Sequence, residues 1–244
     1  MHILDVMEEN KIRINKYISE CGICSRRKAD ELVQKGLVYV NGQLAEAGTR
    51  VDDSDEICVD GRVIGRVEEK VVLAFYKPTG IVCSANGQGA RTVFDYIDYP
   101  AKLLYIGRLD KDSEGLLLLT NDGELANAIS KARYYHEKEY VVTVNRPITD
   151  AFLQKMEQGV PILGTVTRPA KLCKLNDTTF SIILTQGLNR QIRRMCEYCG
   201  YHVRNLKRIR VMNITLGDMK KGELRKVTET ELKEIRRQLE SQSQ

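Results

Sequence analysis

Long apolar runs are missing from this 244-residue chain. The longest, such as Val71–Tyr76 and Leu116–Leu119, fall well short of the ~18–20 residues that a bilayer-spanning helix needs. The opening stretch MHILDVMEENK has acids where a secretory signal requires an apolar core. Neither export nor membrane insertion is expected. Histidine is scarce as well: His2, His136 and His202 stand at no spacing that suits a metal centre or a nucleophilic triad. No glycine-rich phosphate loop precedes a helical pattern, which argues against an NTPase or a dinucleotide enzyme. Internal repeats and low-complexity tails are also absent.

What is present is the composition of a folded protein. Hydrophobic residues at 42% supply a core, and charged residues at 29% are spread too widely for wholesale disorder. The length suits one large domain, or a small one followed by one of medium size. Seven cysteines, an odd number without an export signal, point to reduced thiols in the cytoplasm. Cys21 with Cys24 and Cys196 with Cys199 form two CxxC pairs that together could supply four thiolates for zinc. They lie at opposite ends of the chain, each in or beside an amphipathic helical pattern, so packing is the expected role and no metal is assigned.

The formal charge of +5 is informative only once it is mapped. Between Gln186 and Lys226 eleven basic residues face Glu197, Asp218 and Glu223 alone, a local charge of +8. A second basic cluster, Arg13, Lys16, Arg26, Arg27, Lys28 and Lys35, is followed by an acidic stretch from Glu46 to Asp60. A single charge run is usually a solvated face. Two separate basic clusters favour a polyanion partner, RNA or DNA.

Residues 11–65 read as a compact helix-helix-strand unit. Ile14, Tyr17, Ile18 and Cys21 mark one helical face ended by Gly22, and Ser25 can cap a second helix that carries Ala29, Leu32 and Val33. Leu37–Val40 and Gln43–Ala45 flank Asn41-Gly42, and Ile57–Val59 and Arg62–Ile64 flank Asp60-Gly61; both pairs are hairpin patterns. The charged run 66–70 reads as a linker. Residues 71–240 then alternate differently. Strands are expected at Val71–Tyr76, Leu103–Ile106, Leu116–Thr120, Tyr140–Val144, Ala170–Leu175, Thr179–Leu184 and Leu206–Ile214. Helices are expected at Gly123–Ile129, Asp150–Gln158, Arg190–Cys199 and Glu229–Glu240, with a polar loop at Ser84–Thr92. The fold class is α+β, a small N-terminal helix-helix-strand domain followed by a mixed, mainly antiparallel sheet domain with flanking helices.

The stretch from Gly107 through Arg108, Leu109, Asp110, Lys111, Asp112, Ser113 and Glu114 to Gly115 is a dense polar turn between two apolar strands. Physics alone leaves two readings open: an ordinary charged connection, or a reactive group presented by a rigid sheet. The run GRLDKDSEGLLLLTNDGELAN resembles the signature of RNA pseudouridine synthases of the ribosomal small-subunit type branch. Three further pieces agree in order: Tyr76-Lys77-Pro78-Thr79-Gly80, Lys138-Glu139-Tyr140, and Gly187 through Met195. The part from Tyr140 through Pro161–Thr165 to Met212 looks closest to the large-subunit type F enzymes. The N-terminal unit resembles the RNA-binding domain named after small-subunit ribosomal protein four.

The resemblance implies isomerisation of uridine to pseudouridine in 23S ribosomal RNA, without cofactor or metal. It places the nucleophile at Asp110, an ion-pairing arginine at Arg193 with Arg190 as the second choice, and a stacking aromatic at Tyr140 beneath a flipped base. Arg108 would fill the gap left by the base and Leu206 would wall the uracil. Arg190 and Arg194 would face phosphates, because a helix cannot turn three neighbouring arginines to one side. Arg13, Lys16, Arg26, Arg27 and Lys28 would grip the RNA backbone. A monomer is the expected state. Transfer RNA as substrate, or a non-catalytic ribosome-assembly role on the same scaffold, stay open as alternatives.

Overall fold

The structure, a computed structural model, describes residues 11–65, 69–84, 89–130 and 135–241. Two compact units divide the chain: the N-terminal part up to Lys70 with Pro100–Lys102, and Val71–Tyr99 with Leu103 onward.

In the first unit β1 (Ile12–Arg13) leads into α1 (Ile14–Glu20), followed by α2 (Arg26–Gln34), β2 (Val38–Val40), β3 (Gln43–Leu44), β4 (Arg50–Val51), β5 (Ile57–Val59) and β6 (Arg62–Ile64). The Ser25 hydroxyl accepts from the Lys28 N–H at 3.3 Å and caps α2. Asn41 and Gly42, and again Asp60 and Gly61, take left-handed backbone, so each pair closes a tight hairpin. The strands form a sheet in the order β3-β2-β5-β6, and β1 pairs with β4. Ile14, Tyr17 and Ile18 of α1 share one apolar cluster with Ala29, Val33, Val38, Ile57 and Val59. That packing leaves Arg13, Arg26, Arg27 and Lys28 exposed.

The second unit contains β7 (Val72–Lys77), β8 (Leu104–Ile106), β9 (Glu114–Thr120), α3 (Gly123–Ser130), β10 (Lys138–Val144) and α4 (Asp150–Gln158). It continues with β11 (Pro161–Ile162), β12 (Thr165–Val166), β13 (Lys171–Lys174), β14 (Thr179–Leu184) and α5 (Gln191–Tyr198). β15 (Val203–Val211), β16 (Ile214–Thr215), β17 (Leu224–Lys226) and α6 (Glu229–Glu240) complete it. A nine-stranded sheet runs β13-β14-β10-β15-β9-β7-β17, with β16 added to β15 and β8 to β9. Every pairing in that sheet is antiparallel except β15 with β9.

β7 and β9 are buried on both faces, which explains their unbroken apolar runs. Val72, Ala74, Leu116 and Leu118 pack with Ala126 and Ile129 of α3 and Ile235 of α6. Leu73, Phe75, Leu117 and Leu119 pack on the other side with Val93, Leu103 and Leu109. Each such leucine contributes about 1.5–3 kcal/mol by burial, so β9 is a rigid base for the polar loop ahead of it.

Some expected boundaries shift. The single strand expected over Leu206–Ile214 is two strands, β15 and β16, separated at Met212, whose φ is 52°. The helix expected over Arg190–Cys199 begins at Gln191, with Arg190 held outside it in left-handed backbone. The β11–β12 hairpin and β17 have no counterpart among the expected elements. Within the expected linker 66–70, residues 66–68 lie outside the described residues, as do 85–88 of the expected loop Ser84–Thr92. Among the described residues no helix is long and apolar enough to cross a membrane. None of the seven cysteines is in a disulfide. Cys21 and Cys196 are buried in different cores, and burial pushes the Cys196 thiol up to about 12.

Candidate active site

The loop between β8 and β9 crosses where β9 changes neighbours. Along one edge β9 pairs with β15 at Glu114 and Gly115, and with β8 from Leu118 onward. The chain connecting β8 to β9, residues 107–113, therefore runs across the point where the two neighbours part. Its backbone is fixed from several directions. The Gly80 N–H donates to the Lys111 carbonyl at 2.8 Å, and the Gly107 N–H donates to the Ser130 hydroxyl at 3.1 Å. Lys77 Nζ donates to the carbonyls of Pro78 and Ser113, both at 2.8 Å. Arg193 Nη2 donates to the Asp112 carbonyl at 2.9 Å, and Arg208 Nη1 to the Arg108 carbonyl at 3.5 Å. A loop held this way presents its side chains with little wobble.

Beside this loop is a cavity of about 570 Å³, lined by Asp110, Arg108, Tyr140, Leu206, Arg190 and Arg208 among others. That volume lies within the roughly 300–1,000 Å³ usual for small-molecule sites. The sheet supplies one wall. Tyr140 on β10 is in register with Arg208 on β15, and Val142 with Leu206, so alternate residues of neighbouring strands face the same side. The register shifts between Glu139 and Tyr140, leaving one extra residue on β15. As a result Arg208 lines the cavity while Arg210 turns away to Glu137 and Glu139, at 3.0 and 2.9 Å.

The lining is strongly cationic. Arg108, Lys111, Lys138, Arg190 and Arg208 share it with one carboxylate, Asp110. Arg190 Nη1 is 4.0 Å from the Asp110 carboxylate and 3.8 Å from that of Asp112. Burial pushes the Lys77 ammonium down, opposed by Cys83 and by the carboxylates of Asp110 and Asp112. Burial, aided by the charge of Arg208, brings Lys138 down to about 8.

Of the site residues expected from the sequence, the structure brings Asp110, Tyr140, Leu206, Arg108 and Arg190 to one cavity. The arginine nearest the Asp110 carboxylate in this structure is Arg190, the second choice from the sequence. Arg193 lies on the first turn of α5, only 9% exposed, and binds the Asp112 carbonyl and, at 3.4 Å, the Ser113 hydroxyl. Arg190 Nη1 approaches the Asp110 carboxylate to 4.0 Å. The reason is the helix start. With φ at 50°, Arg190 precedes α5 and escapes the helical spacing that would turn it away from the carboxylate. Arg194 is not part of the lining; it hydrogen-bonds Asn189 through the carbonyl at 3.1 Å and the side-chain oxygen at 3.2 Å. Lys138, Gln186 and Arg208 join the lining without having been given a site role from the sequence, and Lys77 is a further anchor of the loop. Arg208 was findable, since it stands two residues after Leu206 on the same strand.

A rigid carboxylate loop in an arginine-rich cavity, carried by an α+β sheet domain that follows a small basic helical unit in the chain, defines an enzyme for a polyanionic substrate. The comparisons with known proteins give that class its identity: the chain belongs to the RNA pseudouridylate synthase family, whose model matches residues 71–198. Residues 12–57 match the S4 domain. The dual-specificity RNA pseudouridine synthase RluF of Escherichia coli O157:H7 is 46% identical over 240 residues, covering 98% of this chain and 83% of that protein. Ribosomal large subunit pseudouridine synthase B of Bacillus subtilis (strain 168) is 39% identical over 233 residues, covering 92% and 95%. A crystal structure of a pseudouridylate synthase superposes with a TM-score of 0.68 at 30% identity, over 92% of this chain and 99% of that one. The protein is thus an isomerase that acts on RNA.

Proposed function

We propose that the protein converts specific uridines to pseudouridine in 23S ribosomal RNA, with Asp110 as nucleophile and a flipped base stacked on Tyr140. The observation that carries this reading is that Asp110, Tyr140, Leu206 and Arg108 line one cavity. The reaction breaks the bond from ribose C1′ to uracil N1, turns the ring and joins C1′ to C5. A carboxylate suits it because it can attack an electrophilic carbon and leave again. Arg190 stands 4.0 Å from the Asp110 carboxylate and supplies a counter-charge beside it. Tyr140, half-buried between two apolar clusters, offers a flat face for a base taken out of its stack. Leu206 closes the site beneath the ring, and Arg108, exposed at the mouth, fills the gap in the RNA. Arg13, Lys16, Arg26, Arg27 and Lys28 hold the RNA backbone without reading its sequence.

A second reading adds transfer RNA as a substrate. It is favoured by the RluF relative, which is described as dual-specificity. One experiment tests both. Pseudouridines are mapped in ribosomal and transfer RNA from a deletion strain complemented with wild type or with Asp110→Asn. Wild type is expected to restore the missing sites in 23S RNA, with or without a transfer RNA site, and the variant none. Restoration by the variant would remove Asp110 from the mechanism.

A further inference from the structure

The cavity carries more donors than the anchoring of its loop requires. Arg190 faces the two aspartates, and Lys77 is engaged by two carbonyls. Deeper in, Arg208 is 1% exposed, and its Nε donates to the Leu116 carbonyl at 2.7 Å. Its Nη2 is buried without any hydrogen-bond partner among the described residues. Gln186 Nε2 is buried and unpartnered in the same way, and both residues line the cavity. Lys138 lines it too, and the charge that acts on its ammonium is the like charge of Arg208. Donors that meet no acceptor are costly to bury, and such groups mark a place where an acceptor is meant to arrive.

The surroundings identify the acceptor. Lys138 and Tyr140 are two apart on β10 and share a face; Arg208 stands opposite Tyr140 on β15, and Leu184 opposite Lys138 on β14. Leu184 and Leu206 also line the cavity. The site is therefore an aromatic and aliphatic slot edged with donors, which suits a flat ring with carbonyl oxygens on its rim. Phosphates are more strongly hydrated and belong with Arg108, Lys111 and Arg190, which are exposed at the mouth.

We propose that Lys138, Arg208 and Gln186 form a donor wall that receives the carbonyl oxygens of uracil and holds the negative charge of the ring while it is detached from ribose. The inference rests on the reading of this cavity as the uridine site. When N1 leaves C1′, the electron pair stays on the ring and spreads over N1, O2 and O4. The ring then turns about its N3–C6 axis, which exchanges N1 with C5 and O2 with O4. A fixed wall of donors meets a carbonyl oxygen in both orientations, so it serves the ring before and after the turn. As N1 leaves, the Asp110 carboxylate bonds to C1′; C5 then bonds to C1′ and displaces that carboxylate, C5 releases its proton to water and N1 takes one up, so no electrons pass to or from any other molecule. Preorganised donors of this kind act on the charge that develops during reaction.

The wall is also sensitive to pH. Facing Lys138 are Arg208 from β15, His136 just ahead of it in sequence, and Asp110, Arg108, Lys111 and Arg190 around the cavity. Burial pushes the nearby Cys83 thiol up. With Lys138 brought down to about 8, the wall loses one charge as pH rises through that value, and the rate falls with it.

The test uses the RNA found modified in the mapping experiment, transcribed in vitro, with the full chain and its Lys138→Met, Lys138→Arg and Gln186→Leu variants. Wild type should lose rate above about pH 8. Lys138→Met should lower kcat on the order of 10²-fold with a smaller change in KM. Lys138→Arg should retain more activity than Lys138→Met and lack the alkaline decline, because guanidinium stays charged. Gln186→Leu should lower kcat about tenfold. Thermal melting identifies any variant that fails to fold, and the remaining ones decide. An alkaline decline that persists in Lys138→Arg, or variants that change KM alone, would overturn the donor wall while leaving the uridine site standing. Pseudouridine formation by Asp110→Asn would overturn the site reading itself.

Discussion

The Arg190 guanidinium stands 4.0 Å from the Asp110 carboxylate, although Arg193 is the arginine buried behind the same loop. The two make different contacts: Arg190 faces the carboxylates of Asp110 and Asp112, and Arg193 binds the Asp112 carbonyl. Arg190→Gln should lower single-turnover rate roughly 10²-fold and leave the melting temperature unchanged, since the residue is 40% exposed at its side chain. Arg193→Gln should instead lower stability by about 1–3 kcal/mol, because it frees the Asp112 carbonyl inside the protein. Parallel rate and melting measurements on the two variants separate these outcomes.

Gly115 sits opposite Arg208 in the parallel pairing of β9 with β15, at a φ of 109°. A Cβ there would overlap the backbone carbonyl and amide of Arg208, so the strands would have to part. Gly115→Ala should destabilise the protein by about 3 kcal/mol or more, read by denaturant unfolding. Because Arg208 would be displaced, activity at a temperature where the variant is still folded should fall too.

Glu231 anchors the last helix. Arg225 donates to it twice, at 2.9 and 2.8 Å, the Thr228 N–H donates at 2.8 Å, and these interactions hold its carboxyl at about 2. A carboxyl depressed in the folded state stabilises fully above its unfolded value of about 4.3 and loses that contribution as pH falls towards the folded value. Glu231→Gln should therefore cost about 1–2 kcal/mol at neutral pH, and the gap to wild type should close progressively below about pH 4. Unfolding curves at several pH values measure the convergence.

Arg26 and Arg27 are exposed on the first turn of α2, away from the cluster that holds Ala29 and Val33. Replacing both by alanine should weaken RNA binding without changing the fold. The slope of log affinity against log salt should become shallower by about 1 for each phosphate that is no longer neutralised. A filter-binding series at different salt concentrations gives that slope.

Much of the fold is legible in the residues alone because the determinants are local. The Asn41-Gly42 and Asp60-Gly61 turns, the Ser25 and Thr228 caps and the unbroken apolar strand β9 each announce themselves within a few residues. The polar loop with Asp110 is legible because two apolar strands bracket it. The arginine placements are not. A left-handed residue at Arg190, with no glycine to mark it, moves the start of α5 by one position and redirects two side chains. β17 is invisible in the sequence because Leu224–Lys226 is short and charged and its partners, β7 and Glu231, are not local strand signals. Strand alternation puts Arg208 on the face of Leu206, but its anchor to the Leu116 carbonyl, distant in sequence, leaves no local pattern.

The hydrogen bond from Arg208 to Leu116 joins residues 92 positions apart. Pairings of such separation are slow to form, since a long loop must close before they reward it. During synthesis the Asp110 loop and its hairpin emerge first. The strand that brings Arg208 and Leu206 follows only after α3, β10, α4, the β11–β12 hairpin, β13, β14 and α5. A growing or truncated chain therefore has its carboxylate before it has the cavity beside it. The cavity beside Asp110 is closed only once β15 has paired with β9 and β10, the last long-range pairing its lining needs.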